Sequence, residues 1–533
     1  MRFMKNYRLL TLAAILAVSC CGDPQMGDFS VSPLPKEINM KEGDPFVFGR
    51  KVVIHATDGL ETVAGLLASD LEEALGKVPE ISENKGNIIL LLDTSLPAEG
   101  YRIECSKDAI KITGGGPAGV LYGAKTLYKA LPMGGEGRAA LPAAVVEDAP
   151  EYSYRGFLVD VGRHFFTVDY LEELIDIMAL HGINVFHWHL TEDQGWRVPV
   201  PGYPKLIEVG SKRSGTIKAP GSDEYDDIPV EGYYTREEME RIVKYAADRQ
   251  INVIPEIDMP GHMLAALASY PELGCTGGPY EIPLRFGVFE DVLCPGKDAA
   301  LVFAKTVLKE IMDIFPSKYI HIGGDECPKD RWATCPDCQA RIKAIGIKAI
   351  PGKSKEELLQ TWFMGQMKDF IESNGRTMMG WDEVLEGTPD KDIVVCAWTS
   401  PAAVTRSASQ GHPTIVCPIQ HYYFSNPRFN QLKGRESLSR VYDFQMVPEG
   451  LSEDQKGNII GSEACIWTEW VADSTKLEWE MLPRLAALSE SQWGSPKDLD
   501  AFIPRLKRMT ELYDRRGWNW KEDIAQAWED DAE

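Results

Sequence analysis

An α/β protein, with a (β/α)8 TIM barrel over residues 151–533 preceded by a small α/β domain over 28–150, is the fold class this sequence predicts. Three observations carry the prediction. Short β-rich runs alternate with helical stretches from about residue 152 onward, and eight such runs occur. Nearly all of them end in charged or aromatic residues. The chain, at 533 residues, is longer than one hydrophobic core normally supports, so two domains are expected.

The N-terminus, M-R-F-M-K-N-Y-R-L-L-T-L-A-A-I-L-A-V-S-C, has three basic residues, an apolar run from Leu9 to Val18 and then small residues. This reads as a secretory signal over 1–20, too short to span a bilayer. Its A-V-S-C end is similar to a bacterial lipobox, which implies a periplasmic or cell-surface lipoprotein tethered at Cys20, with membrane contact only through that lipid anchor. The next unit has strand-like runs V-V-I-H, I-I-L-L-L-D and Y-R-I-E-C and a helical run over 61–75. Its G-G-G-P-A-G turn enters a second helix but lacks the phosphate-loop pattern G-x-x-x-x-G-K-S/T, so a structural turn is expected.

The barrel runs are 154–163, 184–193, 251–260, 319–326, 376–383, 393–399, 414–424 and 459–470. Helical stretches such as 169–182 and 235–250 lie between them, with acidic first turns. In such barrels the C-terminal strand ends build the active site. Here those ends carry Arg163, Glu192, Asp258, Asp325, Glu326, Trp381, Trp398, Tyr423, Trp467 and Glu469. Arginine, carboxylates and tryptophan suit a neutral sugar, since charged groups bind hydroxyls and aromatic faces cover pyranose C–H surfaces. The net charge of −24 argues against nucleic acid and anionic surfaces as partners. After about residue 500 only a last barrel helix and an acidic tail are expected.

Y-I-H-I-G-G-D-E at 319–326 poses a chemical question. Adjacent carboxylates cannot face each other across a glycosidic bond at the ~5–5.5 Å or ~6.5–9.5 Å of ordinary two-carboxylate hydrolases. The motif H-x-G-G-D-E, with D-V-G-R-H-F (160–165), F-H-W-H-L-T-E-D-Q-G-W-R (186–197), P-E-I-D-M-P-G-H (255–262), G-W-D-E (380–383) and W-T-E (467–469), resembles the family 20 glycoside hydrolases, the β-N-acetylhexosaminidases. The 28–150 unit resembles that family's N-terminal domain.

The resemblance implies substrate-assisted cleavage, in which the sugar's own acetamide oxygen attacks C1. It implies Glu326 as acid and then base. Asp325 would grip the acetamide N–H, and Tyr423 its oxygen. His262 would tune the acid/base with Glu192 as its partner; many relatives carry Asp at that place, one methylene shorter. Arg163 would bind O3 and O4 and Glu469 would bind O4 or O6. Trp381 and Trp467, with Trp362 as a third candidate, would wall the acetamide pocket. After Tyr423 the family reads Tyr-x-Asp or Tyr-x-Asn, whereas this chain has Ser425 and then Asn426. The implied substrate is a glycan with terminal β-linked GlcNAc or GalNAc, and no metal or organic cofactor is implied. A lacto-N-biosidase-like enzyme and a catalytically silent sugar binder are the alternatives.

Two further motifs raise metal chemistry. H-W-H at 187–189 lacks a carboxylate set at ligand spacing, so a structural role is expected. C-P-D-C at 335–338, with Cys327 upstream, offers three thiols without an evident fourth ligand. Disulfides or free thiols are expected there, and Cys275 and Cys294 flank one loop and could pair.

Overall fold

The computed structural model describes residues 23–49, 51–132, 138–387 and 389–528. The signal over 1–20, Cys20 and the acidic tail lie outside the described residues. The larger unit is a closed parallel barrel: β1 (Tyr154–Asp160), β2 (Val185–His189), β3 (Asn252–Glu256), β4 (Tyr319–His321), β5 (Thr377–Trp381), β6 (Val394–Ala397), β7 (Thr414–Val416) and β8 (Ile459–Ile466). Each strand falls within one of the runs read from the sequence. β8 returns to β1 with Tyr154 opposite Gly461 and Val159 opposite Ile466. The strands are buried almost throughout because helices cover their outer face.

The strand alternation decides what fills the barrel. Trp188 points outward onto Tyr234 and Phe315, at ring distances of 4.8 and 6.1 Å. Its neighbours His187 and His189 point inward, and there they meet carboxylates. His187 lies 2.9 Å from Glu463 and 3.2 Å from Glu256. His189 and His321 reach Glu256 at 2.5 and 2.8 Å. Tyr154 and Trp381 donate to Glu463 and Glu256 at 2.6 and 2.9 Å. Each buried charge is thus paired and hydrogen-bonded, the condition for keeping it in a dry core. The carboxylates that the sequence did not show beside the H-W-H motif, Glu256 and Glu463, come from other strands.

The N-terminal unit is a seven-stranded sheet in the order 37–40, 144–148, 101–105, 110–114, 88–92, 53–56, 80–81. Helices Glu61–Leu75 and Pro117–Ala130 pack on it and on each other. The glycine turn leads into the second helix, which starts on Pro117, as a structural turn should. Two contacts seat this unit on the barrel. The fully buried Arg155 of β1 forks onto Glu99 at 2.7 and 3.1 Å. Arg516, at the end of helix Leu499–Arg516, pairs with Glu73 at 2.7 Å and Asp70 at 3.3 Å. No helix among the described residues is long and apolar enough to cross a membrane.

Candidate active site

The loops leaving the C-terminal ends of the strands enclose a cleft of about 250 Å³ lined by Arg163, Glu192, His262, Asp325, Glu326, Trp398, Tyr423, Ser425, Trp467 and Glu469. Arg163 follows β1 and is aimed by Asp160, the last residue of that strand. Asp160 accepts from the backbone of Gly162 and Arg163 and from the Arg163 guanidinium at 3.1 Å. It also accepts from Thr468 after β8, so one buried carboxylate sets two loops. Arg163 then pairs with Glu192 at 2.7 Å and lies 5.3 Å over the Trp467 ring.

Glu192 is the hinge of the polar network. One oxygen meets Arg163 and His189, at 2.7 and 3.2 Å, while the other lies 3.1 Å from His262 Nδ1. Burial alone would raise its pKa, but Arg163 and His262 hold the carboxyl well below the ordinary range. The longer Glu side chain, noted as a departure from many relatives, therefore still reaches His262. For His262, burial works against the charged ring, yet Glu192, Asp193 and Glu326 outweigh it and raise the pKa well above the usual value. The ring stays cationic between Glu192 on one nitrogen and Glu326 on the other, whose Oε2 is 3.6 Å away.

Asp325 and Glu326 follow β4 on a glycine turn. Gly323 has φ of 64°, and a Cβ there would sit 1.7 Å from the Asp258 carboxylate, so only glycine fits. Asp258 caps the turn by accepting from Gly324 N–H at 3.2 Å, and Gln360 donates to the Gly324 carbonyl at 2.7 Å. Glu326 and His262 both have positive φ, 45° and 50°. Backbone strain of this kind collects at functional sites and needs surrounding contacts to hold it. The two carboxylates then diverge: the Asp325 side chain is 12% exposed and that of Glu326 40%. Burial, then the Asp258 charge, pushes the Asp325 carboxyl well above the usual range.

Three polar atoms that face this cleft or its wall, Asp325 Oδ1, Arg163 Nε and Trp467 Nε1, are buried without a protein hydrogen-bond partner. Buried polar groups are normally satisfied, so such a set marks a place where a polar ligand completes the bonding. Tyr423 lies beside them, its ring stacked 5.7 Å from Trp398 at 11° and 5.9 Å from Trp467. The arrangement offers an aromatic-walled pocket with a buried carboxylate at its floor, a more exposed one at its mouth, and an arginine at its inner end.

Two family models match this chain: the glycosyl hydrolase family 20 catalytic domain over residues 152–496 and the family 20 domain 2 over 28–149. The chain belongs to glycosyl hydrolase family 20. A β-hexosaminidase of Porphyromonas gingivalis is 36% identical over 92% of this family 20 chain, which spans 64% of that relative's length. A solved exo-β-N-acetylglucosaminidase of Vibrio harveyi in complex with N-acetylglucosamine superposes with a TM-score of 0.81, at 28% identity, covering 92% of this chain and 78% of that one. A β-N-acetylhexosaminidase of Bacteroides fragilis does so with a TM-score of 0.77, at 29% identity, over 92% and 98%.

Not every residue expected at the site of this family 20 chain stands there. Arg163, Glu192, His262, Asp325, Glu326, Tyr423, Trp467 and Glu469 line one cleft. Trp381 sits one layer down, fully buried, with its ring 5.7 Å from Trp467. Trp362 is a correction: it packs under Arg341 at 5.3 Å and against a cysteine cluster, away from the cleft. Its helix, Lys355–Ser373, sends Gln360 to the Gly324 carbonyl, and two residues on is ~200° around the helix. Trp398 takes the third wall position instead. Trp470, Ile419 and Pro427 also line the cleft and were not picked out from the sequence. Of these, Trp470 was the legible one, an aromatic at the same strand end as Trp467. Ser425 accepts from Trp467 N–H at 2.9 Å, while Asn426 is occupied by Ile419 and Arg428 backbone. Neither supplies the free carboxylate or amide that the family pattern places after Tyr423.

Proposed function

We propose that this chain is a retaining exo-β-N-acetylhexosaminidase that removes single terminal β-linked GlcNAc or GalNAc residues by substrate-assisted catalysis. The observation that carries the reading is the diverging pair at β4. Asp325 presents an unpartnered oxygen inside the pocket while the adjacent Glu326 stands at its mouth. A sugar seated on the aromatic walls places its acetamide over Asp325 and its glycosidic oxygen toward Glu326.

The acetamide oxygen, oriented by the Tyr423 hydroxyl, attacks C1. The C1–O bond breaks as Glu326 gives its proton to the leaving oxygen. Asp325, as the anion, accepts the acetamide N–H and offsets the positive charge of the cyclic oxazolinium intermediate. Glu326, now a base, removes a proton from water, which opens the ring at C1 with net retention. Arg163 and Glu469 hold the far hydroxyls.

The cleft is smaller than the ~300–1,000 Å³ of drug-sized ligand sites, which favours one sugar ring over the disaccharide that a lacto-N-biosidase-like enzyme takes. Incubation with aryl β-GlcNAc and with an aryl β-glycoside of a GlcNAc-containing disaccharide tests this. Release from the monosaccharide alone is expected; release from the disaccharide alone overturns the exo-monosaccharide reading.

The sequence over 1–20 supports export and lipid attachment at Cys20. Labelled fatty acid incorporated by the wild type and lost in Cys20→Ala is the expected result; an unlabelled, freely soluble product contradicts the anchor.

A further inference from the structure

A second group of reactive side chains lies outside the cleft, on the rim behind Glu326. Cys275 and Cys294, at the two ends of the long loop after β3, meet Cys335 and Cys338 of the C-P-D-C motif. All four sulfurs lie within 4.8 Å of one another. Cys294 Sγ is 3.7 Å from Cys335 Sγ and 3.5 Å from Cys338 Sγ, and Cys275 Sγ is 3.8 Å from Cys338 Sγ. Cys294, Cys335 and Cys338 are buried and Cys275 partly so. The sequence showed three thiols near a strand end and no fourth ligand; the fold supplies Cys275 and Cys294 and leaves Cys327 aside.

We propose that Cys275, Cys294, Cys335 and Cys338 form a structural zinc site that staples the loop after β3 to the helix Pro336–Ala344. Four thiolates ~2.3 Å from a tetrahedral ion stand ~3.8 Å from one another; three of these pairs are 3.5–3.8 Å apart and every pair lies within 4.8 Å. A disulfide would need one unique partner at ~2.05 Å, whereas Cys294 is shared between Cys335 and Cys338. The set offers four sulfur donors and no other ligand, the donor chemistry of a closed zinc site rather than a catalytic one.

The surroundings are built for close approach. A Cβ on Gly296 would lie 2.3 Å from both the Asp337 carbonyl carbon and the Cys338 nitrogen, so the C-P-G turn at 294–296 can press against C-P-D-C only with glycine there. Trp332 donates to the Leu293 carbonyl at 2.9 Å across the same seam. Two basic side chains tie the backbone on either side of the cluster. Lys297 bonds the Gly274 carbonyl at 2.6 Å, and Arg341 bonds the Gly296 carbonyl at 3.3 Å. Cys327, next to Glu326, packs into the same small core with Trp332 and Leu359. The ion would therefore brace the segment that carries the acid/base without touching substrate.

The test is elemental analysis of the purified full chain by plasma mass spectrometry, with zinc release by an organomercurial followed by a colorimetric zinc indicator. The expected result is ~1 zinc per chain, freed only as four thiols are titrated. Cobalt(II) reconstitution should then give the intense visible bands of a tetrahedral thiolate complex. The Cys335→Ser/Cys338→Ser double variant should lose the metal; the titration of wild-type protein stands even where that variant does not fold. Metal-free protein whose four cysteines are recovered as disulfides, or are freely alkylated, overturns the proposal. So does zinc whose release does not track the thiols, since it would be bound elsewhere.

Discussion

His262 Nε2 stands 3.6 Å from Glu326 Oε2, placing a buried, cationic imidazole behind the most exposed carboxylate of the cleft. The other nitrogen is anchored 3.1 Å from Glu192, so the ring cannot turn away. On the proposed mechanism His262 acts through Glu326 and not on the substrate itself.

Removing the anchor tests that arrangement. Glu192→Gln weakens the charge that keeps His262 protonated and leaves Arg163 short of a partner. We expect kcat on aryl β-GlcNAc to fall roughly 10- to 100-fold, less than the ~10²–10⁴-fold of a lost general acid. Glu192→Asp, the residue of many relatives, should recover most of it with KM little changed. Equal losses in both variants would mean the position serves only packing.

Arg163 is 7% exposed and paired with Asp160 and Glu192. Arg163→Ala leaves the buried Asp160 without its arginine and Glu192 with only its histidine partners. A stability loss of ~3–5 kcal/mol is expected by urea denaturation, together with loss of turnover. Arg163→Lys keeps the charge but not the fork, so it should fold better than the alanine variant yet raise KM.

The aromatic walls separate two tryptophans. Trp398→Ala removes a face of the cleft and should raise KM at least severalfold. Trp362→Phe should leave KM and kcat within about twofold, because that ring packs behind the site on the cysteine cluster. A Trp362→Phe variant with a KM raised as much as that of Trp398→Ala would put both rings at the substrate.

Stability should fall as pH rises from about 6.5 to 8. Burial, with Asp325 and Asp382 nearby, pushes the Glu383 carboxyl up to about 8. The folded state therefore keeps a proton that the unfolded chain has released, and this contribution disappears as pH climbs through that value. His187 works in the same direction. Burial opposes its charge, but Glu463 and Glu256 raise it to about 9, so its protonated form favours the fold until that pH. Thermal unfolding across this window should show a declining Tm. Glu383→Gln should flatten the decline by at most ~1.4 kcal/mol per pH unit. A Tm that rises over the same range contradicts the assignment.

The barrel was legible because its signal is local: most strand runs end in a residue that lines the cleft, so Arg163, Asp325 and Tyr423 declared themselves by position. What was not legible depends on distance in sequence. Strands 37–40 and 144–148 join the N-terminal sheet by pairing with each other from opposite ends of the domain. Glu256 and Glu463 read as strand residues until the closed barrel set them against His187. Trp362 failed for a different reason. Proximity in sequence to a strand end says nothing about which side of a helix a ring occupies. The cysteine cluster combines both problems, since the C-x-x-C pair was visible but its partners come from another loop.

The most direct measurement compares turnover of aryl β-GlcNAc and aryl β-glucoside by the wild type and by Asp325→Asn. The account predicts cleavage of the acetamido sugar alone, and a large loss in the variant, because the substrate brings the nucleophile and Asp325 stabilises the charge it develops. Comparable cleavage of both sugars would make the acetamide a bystander and require a protein carboxylate as nucleophile, contradicting the mechanism even with the fold intact.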